Sequence, residues 1–215
     1  MVQRREMEVD NKFNKEKYLV VRNAISLELA DFICDYFLMK RKVVEKMKFD
    51  RIISPYINYL GTFGDDMSDN CYGHYADIAM ETLLKKLKPQ VEQHTGRSLY
   101  ETYTYARAYQ YGNYLRRHKD RESCEISSTL NLGGDSWPIY LDPTGGTNNE
   151  GVEVILRPGD MLLYKANFVE HWRYSFTGTS CVQVFLHYMD VKTDGAEDNK
   201  YDRRPFLGLP VCLRK

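Results

Sequence analysis

The chain has 215 residues, 43% of them hydrophobic, enough to bury about 70% of its unfolded surface and to build one or two domains, of which we expect one. Thirty Lys and Arg balance thirty Asp and Glu, so no net field favours nucleic acid or an anionic membrane as partner. No apolar run nears the roughly 20 residues of a membrane span, Met1 to Lys17 is charged with no apolar h-region, and the odd, scattered Cys34, Cys71, Cys124, Cys181 and Cys212 offer no disulfide framework. A reducing cytoplasm is the expected compartment.

Residues 18–25 have the texture of a short strand, and Ser26 is placed to cap a helix running to about Lys40. Leu29, Phe32, Ile33, Tyr36 and Phe37 recur at helical spacing and predict one buried stripe. Asp50 to Cys71 carries Ser-Pro, Gly and Asp punctuation and is expected to be mostly loop, a segment able to cover a site. A second helix is expected over about Tyr75 to Lys88, with Ala76, Ala79, Met80, Leu83, Leu84 and Leu87 inward and Pro89 ending or kinking it.

From Thr102 the pattern changes to short β-like runs at 102–111, 125–132, 137–141, 152–157, 160–165, 168–174 and 181–190. Turn residues at Gly133-Gly134, Asp142-Pro143, Gly145-Gly146, Pro158-Gly159-Asp160 and Gly178 separate them. The expected fold is mainly β with flanking helices: a sandwich or double-sheet jelly roll. Within the single domain 1–215, this makes residues 1–100 a helical support region, 101–190 the β core and 191–215 a tail whose Pro205-Phe206-Leu207 packs back on the body.

His118 and Asp120 are two apart, so in an extended segment both face one side. Fifty residues on, His171 can be returned beside them by antiparallel strands. Two imidazoles and one carboxylate with open positions suit non-haem Fe(II). Zinc could take the same ligands, but a structural zinc site wants four. Other histidines are weaker candidates: His74 and His94 lie in loop or helix-end contexts, and His187 sits in an apolar strand. Asn131 and Trp137 are expected to fill the barrel.

The wider context is Tyr109-x-x-Gly112-x-x-Leu115-x-x-His118-x-Asp120, the Pro158-Gly159-Asp160 turn, His171-Trp172-Arg173, and the run Gln183 to Tyr188. With the entry Tyr18 to Ser26 before a helix, these resemble the prolyl 4-hydroxylase-like family of Fe(II)/2-oxoglutarate dioxygenases. The resemblance implies a double-stranded β-helix with N-terminal helices buttressing one sheet. It implies Fe(II) on His118, Asp120 and His171, with 2-oxoglutarate and O2 as co-substrates and ascorbate as an auxiliary reductant. The implied reaction is hydroxylation of a C–H bond, of a prolyl residue in a peptide or protein, with release of succinate and CO2. The intact Asp120 argues against halogenation, where a small residue replaces the carboxylate. Rival functions are a hydroxylase of a free amino acid or small metabolite, and a non-catalytic jelly-roll binding domain.

One departure is informative. The family's basic residue for the distal carboxylate of 2-oxoglutarate falls about ten residues after the second His, where this chain has Cys181. Arg173, two beyond His171, is the first candidate to replace it, because strand alternation faces it inward and a guanidinium can bind a carboxylate through two bonds. Lys165 is the second candidate and Arg107 the third. Tyr109 matches a family position lining the co-substrate pocket; Tyr103, Tyr105 and Tyr111 continue an aromatic face.

Overall fold

The computed structural model describes residues 12–65, 67–146 and 149–215. The charged start therefore lies, as far as Asn11, outside the described residues. In chain order the elements are α1 (Lys12–Glu16), β1 (Tyr18–Val21), α2 (Leu27–Phe49), β2 (Thr62–Asp65), β3 (Ser68–Tyr75), α3 (Ile78–Thr95) and β4 (Leu99–Gln110). There follow β5 (Leu115–His118), β6 (Ile126–Gly134), β7 (Ile139–Asp142), β8 (Val152–Val154), β9 (Met161–Lys165), β10 (Glu170–Arg173) and β11 (Ser180–Asp190).

The strands form two antiparallel sheets, a major one ordered β1-β9-β6-β11-β4-β3-β2 and a minor one ordered β5-β10-β7-β8. This is the expected mainly β jelly roll with helices against one sheet. Side chains alternate across the major sheet because successive residues of a strand face opposite sides. Val182, Val184, Leu186 and Tyr188 of β11, with Ala106 and Ala108 of β4, join the core under α2 and α3. The intervening Cys181 and Phe185 face the minor sheet with Tyr109 and Trp137. Among the described residues no helix is long and apolar enough to cross a membrane.

Several expectations need correction. Phe32 is 71% exposed, not part of the buried stripe; it sits one residue, or about 100°, round the helix from Ile33, while the buried face follows Ala30, Ile33, Phe37 and Val44. The helix also runs nine residues past Lys40, to Phe49. Pro89 neither ends nor bounds α3, which continues to Thr95 and stops at Gly96 in the left-handed region (φ 69°). A helical proline forfeits one hydrogen bond, but Leu84, Leu87 and Val91 on either side of it are buried and hold the helix in place. The stretch Asp50 to Cys71 is loop only in its first half: β2 and β3 form a hairpin that extends the major sheet at β4. In the tail, Leu207 packs on the core but Phe206 is exposed. The anchor there is instead Arg204, buried against Glu81 at 2.6 Å.

Asp77 joins the helical layer to the sheet. Its Oδ1 accepts from the backbone N–H of Ala79 and Met80, capping α3. Its Oδ2 accepts from Tyr36 Oη at 2.9 Å and from Lys40 Nζ, both on α2, and lies 3.1 Å from His74 Nδ1 on β3. Burial opposes ionisation, but the hydrogen bonds from His74 and Lys40 outweigh it and hold the carboxyl well below the usual range. Asp77→Ala should therefore cost about 3–5 kcal/mol, since it removes a cap and strands a buried cation. Asp50→Ala, which breaks the surface pair with Lys46, should cost at most about 1 kcal/mol. A depressed carboxyl stabilises above its unfolded pKa and loses that contribution as pH falls through the folded one, so denaturant midpoints should drop below about pH 4 in the parent and less steeply in Asp77→Asn.

Candidate metal centre

β5 and β10 are neighbours in the minor sheet, and His118 and His171 are register partners. Their ring centroids lie 4.2 Å apart. Asp120 follows the end of β5, where its backbone N–H donates to the Ala166 carbonyl at 2.9 Å. From there Asp120 Oδ1 stands 3.4 Å from His118 Nε2 and 3.7 Å from His171 Nε2. One donor atom from each of the three residues falls within 4.8 Å of the others.

The backbone holds a hydrogen on each Nδ1. His118 Nδ1 lies 2.7 Å from the Arg116 carbonyl, and His171 Nδ1 lies 3.2 Å from the Val169 carbonyl. A carbonyl only accepts, so each Nδ1 carries a hydrogen and Nε2 is the ring nitrogen turned toward Asp120. Burial pulls the His171 pKa down to about 4, with the His118 charge acting the same way against Asp120, so the ring is neutral near pH 7. Burial alone would raise Asp120, but His171 and His118 hold it well below the usual carboxylate range. The result is two imidazoles and one carboxylate converging on a single point, a donor set for a divalent transition metal.

This group opens into a cavity of about 330 Å³ between the sheets, bordered by Tyr103, Tyr105, Arg107, Phe185 and His187 of the major sheet. Arg173, further along β10, is 2% exposed. Its Nη1 donates to the Trp137 carbonyl and its guanidinium lies 4.8 Å from the Trp137 ring centroid. Among the described residues its Nε and Nη2 have no hydrogen-bond partner. Burial lowers the pKa of this group, with Cys181, Tyr109 and Tyr164 the opposing neighbours. The chain thus holds a buried cation on the same strand as His171, beside Cys181.

The other expected site residues fall differently. Tyr109 is fully buried, edge-on to Trp137 at 4.9 Å. Arg107 borders the cavity but is engaged: Asp65 Oδ2 accepts from its Nε at 3.1 Å and its Nη2 at 2.7 Å, and its Nη1 reaches Tyr109 Oη at 3.4 Å. Lys165 does not join the group. On β9, Leu162 and Tyr164 face the minor sheet and Met161 and Leu163 face the helices, so alternation sends Lys165 to the helix side.

Two contributors were not anticipated. Asp65, expected in a loop, also accepts from Tyr105 Oη at 2.9 Å and pins the β2–β3 hairpin beside the cavity. His187, expected to be a plain core residue, stacks on Tyr103 at 4.4 Å. Its Nδ1 lies 2.7 Å from Ser127 Oγ, which is 3.3 Å from Asp120 Oδ2. The signal for His187 was the odd-numbered phase it shares with Cys181, Gln183 and Phe185; nothing in the sequence marked Asp65. Asp120, Cys124 and His187 also converge, but burial pushes the Cys124 thiol up to about 12, so it stays protonated and is the poorer donor.

No protein-family model and no curated protein matches the sequence. Solved structures do match in fold. A prolyl-4-hydroxylase from Pseudomonas putida aligns over 83% of this chain and 95% of its own, with a TM-score of 0.56 and 12% identity. HygX from Streptomyces hygroscopicus, solved with nickel and 2-oxoglutarate, aligns over 94% and 91% with a TM-score of 0.57 and 13% identity. The 2-oxoglutarate-dependent epimerase SnoN of nogalamycin biosynthesis aligns over 83% and 80% with a TM-score of 0.59 and 13% identity. The chain shares the double-stranded β-helix fold of these structures.

The converging donors predict uptake of one Co(II) or Fe(II) per chain, measured by anaerobic equilibrium dialysis with metal analysis. His118→Ala, Asp120→Ala or His171→Ala should each weaken uptake by about 100-fold or more, as loss of one ligand in three does. His94→Ala should leave it unchanged.

Proposed function

We propose that the chain is an Fe(II)- and 2-oxoglutarate-dependent dioxygenase that hydroxylates a C–H bond. The observation that carries the proposal is the pairing of the His118, Asp120 and His171 donor set with the buried Arg173, whose Nε and Nη2 are without partners among the described residues. In this reading the three side chains hold Fe(II) and leave positions open for co-substrate. The metal, when bound with 2-oxoglutarate and O2, supplies oxidative decarboxylation to succinate and CO2 coupled to hydroxylation, with ascorbate as an auxiliary reductant.

The protein's own contributions follow from the site. The Arg116 and Val169 carbonyls hold a hydrogen on each Nδ1, and burial keeps the His171 ring neutral. Arg173 offers two N–H groups to the distal carboxylate of 2-oxoglutarate, an anion that would relieve the cost of an uncompensated buried cation. In this reading Tyr109, packed edge-on against Trp137, borders the bound carboxylate. Lys165 has no part in this arrangement, and Arg107, already bound to Asp65, has a secondary one.

For substrate we propose a prolyl residue of a peptide or protein, on the extent of the motif resemblance. A specific feature favours the rival, a free amino acid or other small metabolite: the cavity is flanked on two sides by pinned segments. Asp65 ties the β2–β3 hairpin to Arg107, and Asp202 of the tail accepts from Arg121 Nη2 at 2.9 Å. Both substrates would be met in a reducing cytoplasm, where the five unbridged cysteines are stable as thiols.

Two measurements test these assignments. Arg173→Ala should raise the apparent KM for 2-oxoglutarate by about 100-fold or more with metal uptake unchanged, Arg173→Lys should recover part of the loss, and Lys165→Ala should have no effect. An unchanged KM in Arg173→Ala contradicts the anchor. For the substrate, mass spectrometry after incubation with proline-containing peptides should reveal a gain of one oxygen; oxidation of free metabolites alone would establish the rival.

A further inference from the structure

α2 carries a second organised surface, unrelated to the metal chemistry. Its inner face packs into the core, while Phe32, Met39 and Val43 are 71%, 67% and 50% exposed. With the half-buried Tyr36 they recur at steps of four, three and four residues, the spacing that lines side chains along one ridge of a helix. Single exposed apolar residues are ordinary, but an aligned ridge of them marks an interaction surface.

The charges beside this ridge indicate what covers it. Three of the four acidic residues of α2 precede residue 36, and all five basic ones follow residue 39. Glu28, Asp35 and Lys42 form a row at seven-residue intervals along one flank, with Lys46 beside its end. The helix dipole favours acids in the first turn and bases in the last, but its influence fades within a turn and does not account for Asp35 and Lys42 in mid-helix. Among the described residues neither side chain forms a hydrogen bond or an ion pair, in contrast to Lys40, which is bound to Asp77, and Arg41, which is bound to Gln110 at 2.9 Å.

We propose that this face pairs with the same face of a second copy of the chain, the two α2 helices running antiparallel about a twofold axis. A surface whose charge reverses along its length is complementary to itself turned end for end. Centring the axis between residues 37 and 38 sets Phe32 against Val43 of the second copy and Tyr36 against Met39. The same register brings Asp35 beside Lys42, and Glu28 beside Lys46. Every contact is made twice, because the interface is isologous. A helix of 23 residues is about 35 Å long, which gives an interface at the small end of specific ones. The dimer is therefore concentration-dependent, with a dissociation constant of roughly 1–100 µM.

Sedimentation equilibrium of the full chain tests this. The average mass should rise from the 25.2 kDa of one chain toward that of two between roughly 1 µM and 1 mM. Met39→Lys should weaken association by about tenfold or more, and so should Asp35→Lys, which sets like charges against each other twice. The double variant Asp35→Lys/Lys42→Asp should return it to within about threefold of the parent, the pair being reciprocal. All three positions are exposed, so unfolding temperatures should match the parent and serve as the folding control. A single-chain mass throughout overturns the proposal. So does association insensitive to Met39→Lys and Asp35→Lys, or a charge swap that restores nothing.

Discussion

β4 and β11 pair along their whole length, and their alternation has to satisfy two unlike interiors at once. One phase, carrying Ala106, Ala108, Val182, Val184, Leu186 and Tyr188, meets helices and must be small or apolar. The other, carrying Arg107, Tyr109, Gln183 and His187, is buried between sheets yet polar. A one-residue slip would exchange the two sets and put guanidinium and imidazole groups under α2 and α3, so the register is strongly specified. The cavity and the apolar core are thus two sides of one hydrogen-bonded surface.

The inner interior is governed by the rule that buried charge needs a partner. The buried Arg107 has Asp65, and the buried Arg204 has Glu81. Arg173, buried as deeply as any of these, has the Trp137 carbonyl and ring but no carboxylate among the described residues. A fold that supplies a carboxylate to the buried Arg107 and Arg204 and, among the described residues, none to Arg173 is suited to take an anion from outside. The converging Nε2 atoms of His118 and His171 beside an ionised Asp120 make the matching provision for a cation. The two provisions lie on the same short strand, β10, spaced by the strand's own period of two.

Much of this was legible from the residues because it rests on local periodicity. The spacing of His118 and Asp120, the phase shared by His171 and Arg173, and the alternation along 181–190 all survive folding unchanged. What was illegible depends on contacts distant in sequence. Thr62 to Tyr75 lacks an apolar alternation: β2 is the edge strand, β3 joins the sheet through β4, and the hairpin is held by Asp65, 42 residues from Arg107. Pro89 misled because propensity was outweighed by burial on both sides of it. Phe32 misled because a stripe of five residues spans more of the helix than the sheet can cover. Lys165 was set aside only by knowing which face of β9 meets the helices.

The central claim is that one chain brings together a three-residue metal site and an anion site for a single chelating co-substrate. Anaerobic titration of the metal-free chain with Fe(II) and then 2-oxoglutarate, followed by visible absorption, addresses both halves together. The account predicts a metal-to-ligand charge-transfer band that saturates at one equivalent of each and is lost on replacing 2-oxoglutarate with succinate, which lacks the keto oxygen. Absence of the band with Fe(II) and excess 2-oxoglutarate, in protein that is folded by its unfolding transition, would contradict it.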